Sequence, residues 1–525
     1  MSLISLNSVG ELCAEVSRTK ELAASCGSQV VMTADRTLMS SYDLLFDGML
    51  AASQTTTIPP RMVSWLLMPH PGIKEGSCSV APLGLRRVEA ALLRSGMNRW
   101  DVSVVDGDHL DKVIGPSTRI VAVSSGEPCG LGMNTSTMTR IAGGRIYPEV
   151  MFLDLMKRIR HIKRKQSLDF KVVMGGPGAW QLADNPEKMQ KLGIDHVILG
   201  YCEANVAALF FTICHGGNLP AVLEGQMPQV YNIPPIVAPS TMGVVEISRG
   251  CGLGCSFCTI ACTQMMHLPI STIVADVRTN IRGGIHNAAI LSEDFFRYGS
   301  SGGRVDAAAV IELLEALRKV DGLKLIQIDH CNISSVAQLS DDELKRIHDL
   351  LTKGVRHEKL WVNVGIETPN GDLMYAAGCG AKMGGVEPAN WGAFCSEQLR
   401  RLCKAGFMPM LSLLLGLPDE QPKHIEETIE WVQSIASENL TIFPVIYAPV
   451  DGQAPPDPRS LSKRHWDLIA KCYDLNFSRV PGMYWDNQTG AGVALWKRLM
   501  IQVMGKGQVV MWKSLIALGR SKAHK

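Results

Sequence analysis

The stretch that decides the fold is Val-Glu-Ile-Ser-Arg-Gly-Cys-Gly-Leu-Gly-Cys-Ser-Phe-Cys-Thr-Ile-Ala-Cys, residues 245–262. Its short apolar start predicts a buried strand, and Cys251, Cys255 and Cys258 then follow in a Cys-x3-Cys-x2-Cys spacing. The interleaved glycines allow a tight turn around a compact ligand, because glycine adopts left-handed backbone angles without steric cost. Three such thiolates can hold three irons of a four-iron, four-sulfur cluster, which normally takes four cysteines, and leave the fourth iron open.

A zinc knuckle and a set of ordinary buried thiols are the alternatives to a cluster at these cysteines. Structural zinc takes four ligands, usually in paired Cys-x2-Cys spacings, and a plain core has no need of the glycines. Cys262 could act as a fourth ligand, although we expect it to lie in a following helix. The spacing therefore favours the cluster.

Length, charge and cysteine usage indicate a cofactor enzyme of the cytoplasm. A chain of 525 residues is long enough for about three domains. A net charge of +2 provides no broad basic field, which argues against a nucleic-acid partner. The fifteen cysteines are odd in number and scattered, which favours free thiols in a reducing compartment. The sequence predicts neither a signal peptide nor a transmembrane segment, so membrane contact is expected to be peripheral at most.

The first half of the chain predicts a Rossmann-like, doubly wound α/β domain over residues 61–225. Residues 1–60 are set apart as an N-terminal segment with a helix at 9–24. From Arg61 onward short apolar runs alternate with helices, as in a parallel sheet that binds its ligand beyond the carboxyl ends of the strands. Helices are predicted at 82–95 and 148–163, and strands at 62–68, 101–105, 118–124, 171–174 and 196–199. The first helix does not open with Gly-x-Gly-x-x-Gly, which disfavours a dinucleotide.

A second alternating series predicts a partial (β/α)6 barrel over residues 244–450. Residues 226–243 contain four prolines and few charges, which is typical of an extended linker between domains. The predicted strands lie at 244–248, 288–291, 325–328, 361–366, 409–415 and 441–446, with helices at 307–319, 341–351 and 423–437. Ligands of such barrels gather at the carboxyl ends of the strands.

Polar residues follow several of these strands. Asp329, His330 and Cys331 end the third strand and are candidates for substrate contact or proton transfer, with a structural histidine as the alternative. Glu367 ends the fourth strand, where a surface acid capping the next helix is the alternative. Three further residues at strand ends are candidates for ligand binding. Glu293 and Asp294 follow the second strand, and Gly416 follows the fifth.

Residues 451–525 predict a helical C-terminal region. Leu495, Leu499 and Val503 begin a series at helical spacing that alternates with lysine and arginine. The series continues through Val509, Trp512 and Ile516, beside Lys497, Arg498, Lys506 and Lys513. The region is either a helical cap packed on the barrel or an amphipathic surface that meets lipid.

The cysteine spacing resembles that of the radical S-adenosylmethionine (SAM) superfamily. The resemblance implies that SAM chelates the open iron and that one electron, from a donor such as flavodoxin or ferredoxin, cleaves it to a 5'-deoxyadenosyl radical. It also implies that residues of the cysteine loop and of the strand ends contact SAM. These are Phe257 and Gly416 near the adenine, Glu293 or Asp294 near the ammonium, and Glu367 near the ribose or methionine.

Loops ahead of the cysteines resemble the cobalamin-binding domain of cobalamin-dependent radical SAM enzymes. Ala81-Pro82-Leu83-Gly84-Leu85, Val105-Asp106, Gly175-Gly176-Pro177 and Gly200-Tyr201-Cys202-Glu203 occur in that order. The resemblance implies cobalamin contacts from Pro82, Leu83, Gly84, Ser124, Ser125, Gly175, Gly176, Pro177, Gly200 and Glu203. The Asp-x-His-x-x-Gly motif is absent from the sequence, so His109 is interpreted as a loop histidine and cobalt has no assigned lower ligand.

Longer segments, including Thr-Ala-Asp-Arg-Thr-Leu-Met-Ser-Ser-Tyr and Ser-Glu-Asp-Phe-Phe-Arg-Tyr-Gly, resemble one group of cobalamin-binding radical SAM proteins over residues 30–450. That group is related to enzymes that form rings in archaeal tetraether lipids. The resemblance implies methylation of an unactivated carbon in a small molecule or lipid. The alternatives are radical cyclisation or carbon-carbon bond formation without methyl transfer, and a non-catalytic iron-sulfur and cobalamin sensor.

Overall fold

The computed structural model describes residues 27–74, 76–355, 360–448 and 461–523. They form two compact units. The first contains the described residues of Met1–Ser41, Met68–Gly130 and Tyr147–Thr241, and the second those of Tyr42–Leu67, Leu131–Ile146 and Met242–Lys525. The helix predicted at 9–24 lies outside the described residues.

The first unit is built on a six-stranded parallel sheet in the order β2-β1-β3-β4-β5-β6. The strands are β1 Val30–Ala34, β2 Val102–Val104, β3 Ile120–Ser124, β4 Lys171–Gly175, β5 His196–Leu199 and β6 Val222–Glu224. Its helices are Arg36–Met39, Leu83–Arg94, Leu110–Val113, Tyr147–Lys165, Trp180–Ala183, Pro186–Leu192 and Val206–Cys214. This is the predicted Rossmann-like architecture. The strand order reverses between β1 and β3, which is where such sheets bind ligands.

The strand predicted at 62–68 is wrong, because this segment forms the helix Pro60–Leu67. Its buried residues Val63, Leu66 and Leu67 follow the spacing of one helix face, and a proline opens the helix. The sheet instead takes β1 from the predicted N-terminal segment and adds β6, which was not predicted. The other four predicted strands of this unit are confirmed, as are both predicted helices.

Two buried arginines bind the proline-rich segment to the first unit. Arg86 Nε donates to the Pro239 carbonyl at 2.9 Å, and Arg87 Nη1 donates to the Pro234 carbonyl at 2.8 Å. Arg86 also pairs with Glu89 at 2.8 Å, and both side chains are fully buried. The segment predicted as an extended linker therefore contacts the helix Leu83–Arg94 and belongs to the first unit up to Thr241.

The second unit contains the predicted six β/α repeats. Its strands are β7 Val244–Glu246, β8 Asn287–Leu291, β9 Leu325–Ile328, β10 His330–Cys331, β11 Leu360–Glu367, β12 Phe407–Leu415 and β13 Thr441–Ile446. They form two parallel sheets, β9-β8-β7 and β10-β11-β12-β13, and β9 and β10 are consecutive pieces of one strand that Asp329 interrupts. Parallel strands with helical crossovers place all the carboxyl ends on one side.

Helices and short elements complete the two units. The helices of the second unit are Leu45–Ser53, Pro60–Leu67, Met133–Ala142, Ile270–Arg282, Ala307–Arg318, Ile333–Val336, Asp341–Thr352, Gly371–Ala376, Trp391–Ala405, Pro422–Ser434, Lys463–Gly490 and Leu495–Lys522. Two-residue antiparallel ribbons pair Ile73–Lys74 with Ser77–Cys78 and Ser248–Arg249 with Met266–His267. Short 3-10 turns occupy Arg99–Asp101, Gly107–His109, Val230–Asn232, Thr241–Gly243, Phe295–Arg297, Gly380–Met383 and Pro388–Asn390.

The last two helices, Lys463–Gly490 and Leu495–Lys522, confirm the predicted helical C-terminal region. They pack against each other, with the Tyr473 and Trp512 rings stacked at a centroid distance of 5.1 Å. Every helix in the described part of the chain is too short or too polar to cross a bilayer.

Candidate functional site

The cysteine loop leaves the ribbon strand Ser248–Arg249 as the tight turn that its glycines predict. Gly250, Gly252 and Gly254 have φ values of +77°, +71° and +71°, in the left-handed region that side chains disfavour. A Cβ on Gly250 would lie 2.5 Å from the Gln264 carbonyl oxygen, so the close return of the chain also requires glycine. The tight turn predicted from these glycines is confirmed.

Two buried or half-buried arginines hold the loop at its start. Arg249 forms two hydrogen bonds of 2.9 Å to the carboxylate of Glu246, and both side chains are almost fully buried. Arg297 donates to the Cys251 carbonyl at 2.9 Å, and Cys251 N donates to the Thr263 carbonyl at 2.9 Å. Sequence reasoning missed both arginines, although the Ser-Arg-Gly-Cys and Phe-Phe-Arg-Tyr motifs contain them.

Cys255 is held by a segment that follows the helix Gly371–Ala376. Ser256 donates from its hydroxyl at 2.8 Å and from its backbone at 3.4 Å to the Ala377 carbonyl. The neighbouring Cys379 thiol lowers the pKa of Cys255 despite desolvation, and the Lys382 ammonium acts in the same direction. The Cys379 thiol itself is buried and donates to the Ala377 carbonyl at 3.5 Å. Metal and cluster ligation require the thiolate, so this environment prepares Cys255 to bind iron.

The donor set fits a three-cysteine cluster site. Cys251 and Cys258 are half-buried, and burial raises the pKa of both thiols. Cys262 is exposed in a turn rather than in the helix expected for it, because the following helix begins only at Ile270. In the described part of the chain, no three histidine, cysteine, aspartate or glutamate side chains converge on one ion. Cluster thiolates each bind a different iron, so a single-ion geometry is not expected of them.

Glu367 ends β11 in a strained, buried position. Its φ is +62°, and the register with β12 shifts between Gly365 and Glu367. Lys382 Nζ donates to its Oε1, and Ser412 Oγ donates to its Oε2 at 3.3 Å. A Cβ on Gly365 would lie 2.3 Å from Oε1 and 2.6 Å from the Lys382 nitrogen. Backbone strain of this kind concentrates at functional sites, and here it aims a buried ion pair at the neighbourhood of the cysteine loop.

The alternative that Glu367 caps the next helix from the surface is wrong. The cap of Gly371–Ala376 is Asn370, whose Oδ1 accepts from Leu373 N at 2.9 Å. Glu367 is only 7% exposed. Its role as a SAM contact stays a prediction.

The two acids after β8 differ in their surroundings. Asp294 is fully buried and accepts from Ser335 Oγ at 2.6 Å and from Asn332 N at 3.2 Å, and burial raises its pKa to about 6. Glu293 is exposed, and desolvation raises its pKa although the nearby His330 lowers it. Of the two candidates for the SAM ammonium, Glu293 is the accessible one.

Asp329, His330 and Glu293 come together at the carboxyl ends of β8 and β9. His330 Nδ1 lies 2.9 Å from Asp329 Oδ2, and Asn363 Nδ2 donates to Asp329 Oδ1 at 2.9 Å. Cys331 points the other way and is buried, and desolvation raises its pKa well above the usual range. The pleat alternates side chains between the two faces of a strand, which separates Cys331 from its neighbour. A histidine paired with a carboxylate can accept and return a proton.

We expect the Asp329→Asn variant to lower the pKa of His330. Desolvation lowers the pKa of His330, but Asp329 and Glu293 outweigh it, so the pKa stands above the ordinary histidine value. Titration of ¹³C-labelled histidine by NMR, with the His330 signal assigned from His330→Gln, measures this change. Asp341→Asn, which removes an acid paired with Arg401, is the control. An unchanged His330 titration in Asp329→Asn would contradict the arrangement.

The two residues predicted near the adenine lie at the same end of the barrel strands. Phe257 is buried with its ring edge-on to Tyr447, at a centroid distance of 6.5 Å and an interplanar angle of 87°. Tyr447 N donates to the Leu415 carbonyl at 2.9 Å, one residue before Gly416. Gly416 N donates to Glu420 Oε1 at 3.0 Å. Phe257 thus packs at the carboxyl end of β12, beside the turn that contains Gly416.

A buried carboxyl lies where the strand order of the first unit reverses, and no role was predicted for it from the sequence. Asp35 follows β1 and accepts from Ser125 Oγ at 3.2 Å and from Thr37 N at 3.0 Å. Burial raises its pKa to about 6. The sequence did contain an indication of this site, because Asp35 in the quoted Thr-Ala-Asp-Arg motif directly follows an apolar run. Asp35 and Ser125 join the ends of β1 and β3, where the crevice of such a sheet opens.

The loops predicted to contact cobalamin divide into packed and open positions. A Cβ on Gly176 would lie 2.4 Å from Ser124 Oγ, so this glycine serves the packing of one loop on another. At Gly84 and Gly200 a Cβ would meet nothing within 4 Å in the described part of the chain. Partly or fully accessible neighbours are Pro82, Leu83, Gly175, Pro177 and Glu203. The His109 ring bonds Asp106 Oδ1 at 2.6 Å.

Comparison with known proteins identifies the cysteine-loop unit. Residues 245–432 match the model of the radical SAM superfamily. The ribosomal protein uS12 methylthiotransferase RimO of Bdellovibrio bacteriovorus is 30% identical over 126 residues, 23% of this chain and 27% of that protein. RimO of Leptospira biflexa is 22% identical over 213 residues, 40% of this chain and 42% of that protein. The chain thus spans less than half the length of these curated relatives.

The fold of most of the chain has a solved counterpart. The radical SAM methyltransferase TsrM from Kitasatospora setae, with cobalamin and a [4Fe-4S] cluster bound, matches with a TM-score of 0.53 and 15% identity. The match covers 81% of this chain and 77% of TsrM. At this identity the likeness shows a shared fold. The superfamily match, which implies a [4Fe-4S] cluster and SAM, rests on the residues of the cysteine loop and the strands that follow it. Residues 245–432 of this chain are therefore a radical SAM domain.

Proposed function

We propose that this protein is a cobalamin-dependent radical SAM methyltransferase that acts on an unactivated carbon of a small molecule or lipid. The observation that carries the proposal is a radical SAM domain in the same chain as a doubly wound parallel sheet with open glycines at Gly84 and Gly200. When bound, the cluster and SAM supply a 5'-deoxyadenosyl radical that abstracts hydrogen, and methylcobalamin supplies the methyl group.

Residues of the cysteine loop and its surroundings hold and tune the cluster. Cys251, Cys255 and Cys258 are the three ligands, brought together by the tight turn through the glycines. Cys379 lies beside Cys255 and favours its thiolate form. Lys382 adds a positive charge beside that thiolate, which favours the ionised ligand.

Polar residues at the strand ends bind SAM and the substrate. Glu293 is accessible and forms a charge-assisted hydrogen bond to the SAM ammonium. Glu367, oriented by Lys382, presents its carboxylate toward the polar part of SAM. His330, oriented by Asp329, hydrogen-bonds a polar group of the substrate, while the hydrogen that the substrate loses leaves with 5'-deoxyadenosine.

In the first unit, the loops after β1, β3, β4 and β5 bind cobalamin. Asp35 and Ser125 provide a fixed polar pair at the strand-order reversal. Gly84 and Gly200 present backbone without a side chain to the ligand, so the ligand can approach closely. His109 pairs with Asp106 through Nδ1, and it stays interpreted as a loop histidine because the Asp-x-His-x-x-Gly motif is absent from the sequence.

We expect Gly84→Ala to weaken cobalamin binding without destabilising the protein. The new methyl meets no described protein atom within 4 Å, and Gly84 lies in the helix Leu83–Arg94 without a positive φ. Alanine in a helix is more stable than glycine by roughly 0.5–1 kcal/mol, so thermal stability should be equal or higher. Cobalamin retained after gel filtration measures binding. The control is Gly482→Ala, an equally open glycine in the helix Lys463–Gly490 of the second unit. Full retention in Gly84→Ala would contradict this cobalamin contact.

The decisive test of function is the fate of the SAM methyl group. Anaerobically reconstituted protein is reduced in the presence of methyl-deuterated SAM and of small-molecule and lipid extracts from cells that lack the gene. The proposal expects both 5'-deoxyadenosine and deuterium-labelled product by mass spectrometry. Product without label, together with 5'-deoxyadenosine, would establish cyclisation or carbon-carbon coupling instead. A complete absence of 5'-deoxyadenosine would establish a sensor.

A further inference from the structure

The C-terminal helix Leu495–Lys522 is apolar on two sides. One side packs against the helix Lys463–Gly490 and buries Ile501 and Ile516. The other side exposes Trp496 by 58%, Val503 by 73% and Val510 by 67%. Leu495, Leu499 and Met500 are also large, apolar and exposed.

These exposed residues form a continuous stripe along the helix, which we call the outer stripe. Its positions 495, 496, 499, 500, 503 and 510 recur at intervals of one, three, four and seven, which places them on one helix face. A surface helix of a globular protein normally carries polar residues on that side. Several adjacent apolar side chains in such a position mark a surface that binds something.

The charge around the outer stripe identifies what it binds. From Gly490 to Lys525 the sequence has seven lysines and arginines and no aspartate or glutamate. The whole chain has a net charge of only +2, so the rest of the molecule is net negative. Lys506 lies exposed on the same side, between Val503 and Val510.

Ion pairs at the flanks of the helix keep the outer stripe turned outward. Lys513 lies 3.6 Å from Asp474, and Arg520 lies 2.6 Å from Asp467, both on the packing partner helix. Lys497 pairs with Asp43 at 2.6 Å. The packed side is therefore fixed to the second unit, and the outer stripe stays exposed to a partner.

We propose that the outer stripe docks the protein on the surface of an anionic lipid membrane. Apolar side chains, led by Trp496, enter the boundary between headgroups and acyl chains, while Lys506 on the same side contacts anionic headgroups. A second copy of this chain is disfavoured as the occupant, because two surfaces of the same positive charge would meet. The proposal is independent of the reaction catalysed.

Flotation of the purified holoprotein with vesicles tests the docking. Vesicles of phosphatidylcholine are compared with vesicles of equal parts phosphatidylcholine and phosphatidylglycerol, at low and high salt. Wild type should float with the anionic vesicles at low salt and less at high salt. Val503→Asp places a charge in the middle of the outer stripe and should weaken binding roughly tenfold or more. Phe211→Ser, which removes an aromatic ring 66% exposed in the first unit, is the matched control and should bind as wild type.

Circular dichroism and iron content confirm that Val503→Asp folds and retains its cluster. Failure of wild type to float with anionic vesicles, or equal flotation of Val503→Asp, would overturn the proposal. Equal, salt-insensitive binding to neutral vesicles would overturn the role of the basic residues. Light scattering tests for a dimer. If wild type is a dimer that Val503→Asp dissociates, and neither binds vesicles, a second copy covers the outer stripe and the membrane proposal is overturned.

Discussion

Cys255→Ala is expected to abolish assembly of the iron-sulfur cluster. Cys255 is the most buried of the three ligands, and it is the one whose pKa is lowered, by the neighbouring Cys379 thiol and the Lys382 ammonium. Two remaining thiolates would leave two irons without protein ligands, and such a site does not hold the cluster. Anaerobic purification followed by iron analysis and visible absorbance should show less than about a tenth of wild-type iron, and 5'-deoxyadenosine formation should be lost.

Two other cysteines provide controls for this result. Cys262→Ala should keep full iron content, because Cys262 is exposed in the turn after the third ligand. Cys379→Ala should assemble a cluster but with an altered reduction potential, since hydrogen bonds to cluster sulfurs tune that potential. A full cluster in Cys255→Ala would refute the ligand assignment, and loss of the cluster in Cys262→Ala would make Cys262 a ligand instead.

The sequence predicted most of the second unit because its signals were local. Each strand there is a short apolar run followed by a helix at the expected distance, and the glycines between Cys251 and Cys258 report directly on a left-handed turn. The same local reasoning failed at 62–68. There, a run of apolar residues is ambiguous between strand and helix, and the opening Pro60 was the deciding signal.

Contacts between distant parts of the chain could not be predicted from the sequence. Asp35 meets Ser125 across 90 positions, and Lys382 meets Glu367 across a helix. No spacing rule connects such pairs, because their proximity follows from strand order and from the path of the loops. Likewise, Cys331 shares a motif with His330, but only the pleat of β10 shows that the two side chains point to opposite sides.

The buried ion pair of Glu367 and Lys382 supports the second prediction of large effect, that Lys382→Met destabilises the protein by about 3–5 kcal/mol. Both side chains are nearly inaccessible to water, so the substitution leaves a buried, unpaired carboxylate. Desolvation lowers the pKa of Lys382, but Glu367 outweighs it and raises this pKa above the ordinary lysine value. The pair is therefore fully present below the ordinary lysine pKa and is lost only as pH rises through the higher folded-state value.

A double-mutant cycle measures this pair directly. Glu367→Gln should also destabilise, whereas Lys382→Met combined with Glu367→Gln should cost less than the sum of the two single changes, because no unpaired charge remains. Denaturant midpoints of the second unit, measured anaerobically with iron content as a second readout, record the changes. Lys345→Met removes a surface ion pair with the exposed Asp349 and should change stability by less than about 0.5 kcal/mol. Two results would contradict this role of the pair in holding the strained end of β11 beside Cys255. One is a double variant whose loss of stability equals the sum of the two single losses, and the other is a Lys382→Met protein as stable as wild type.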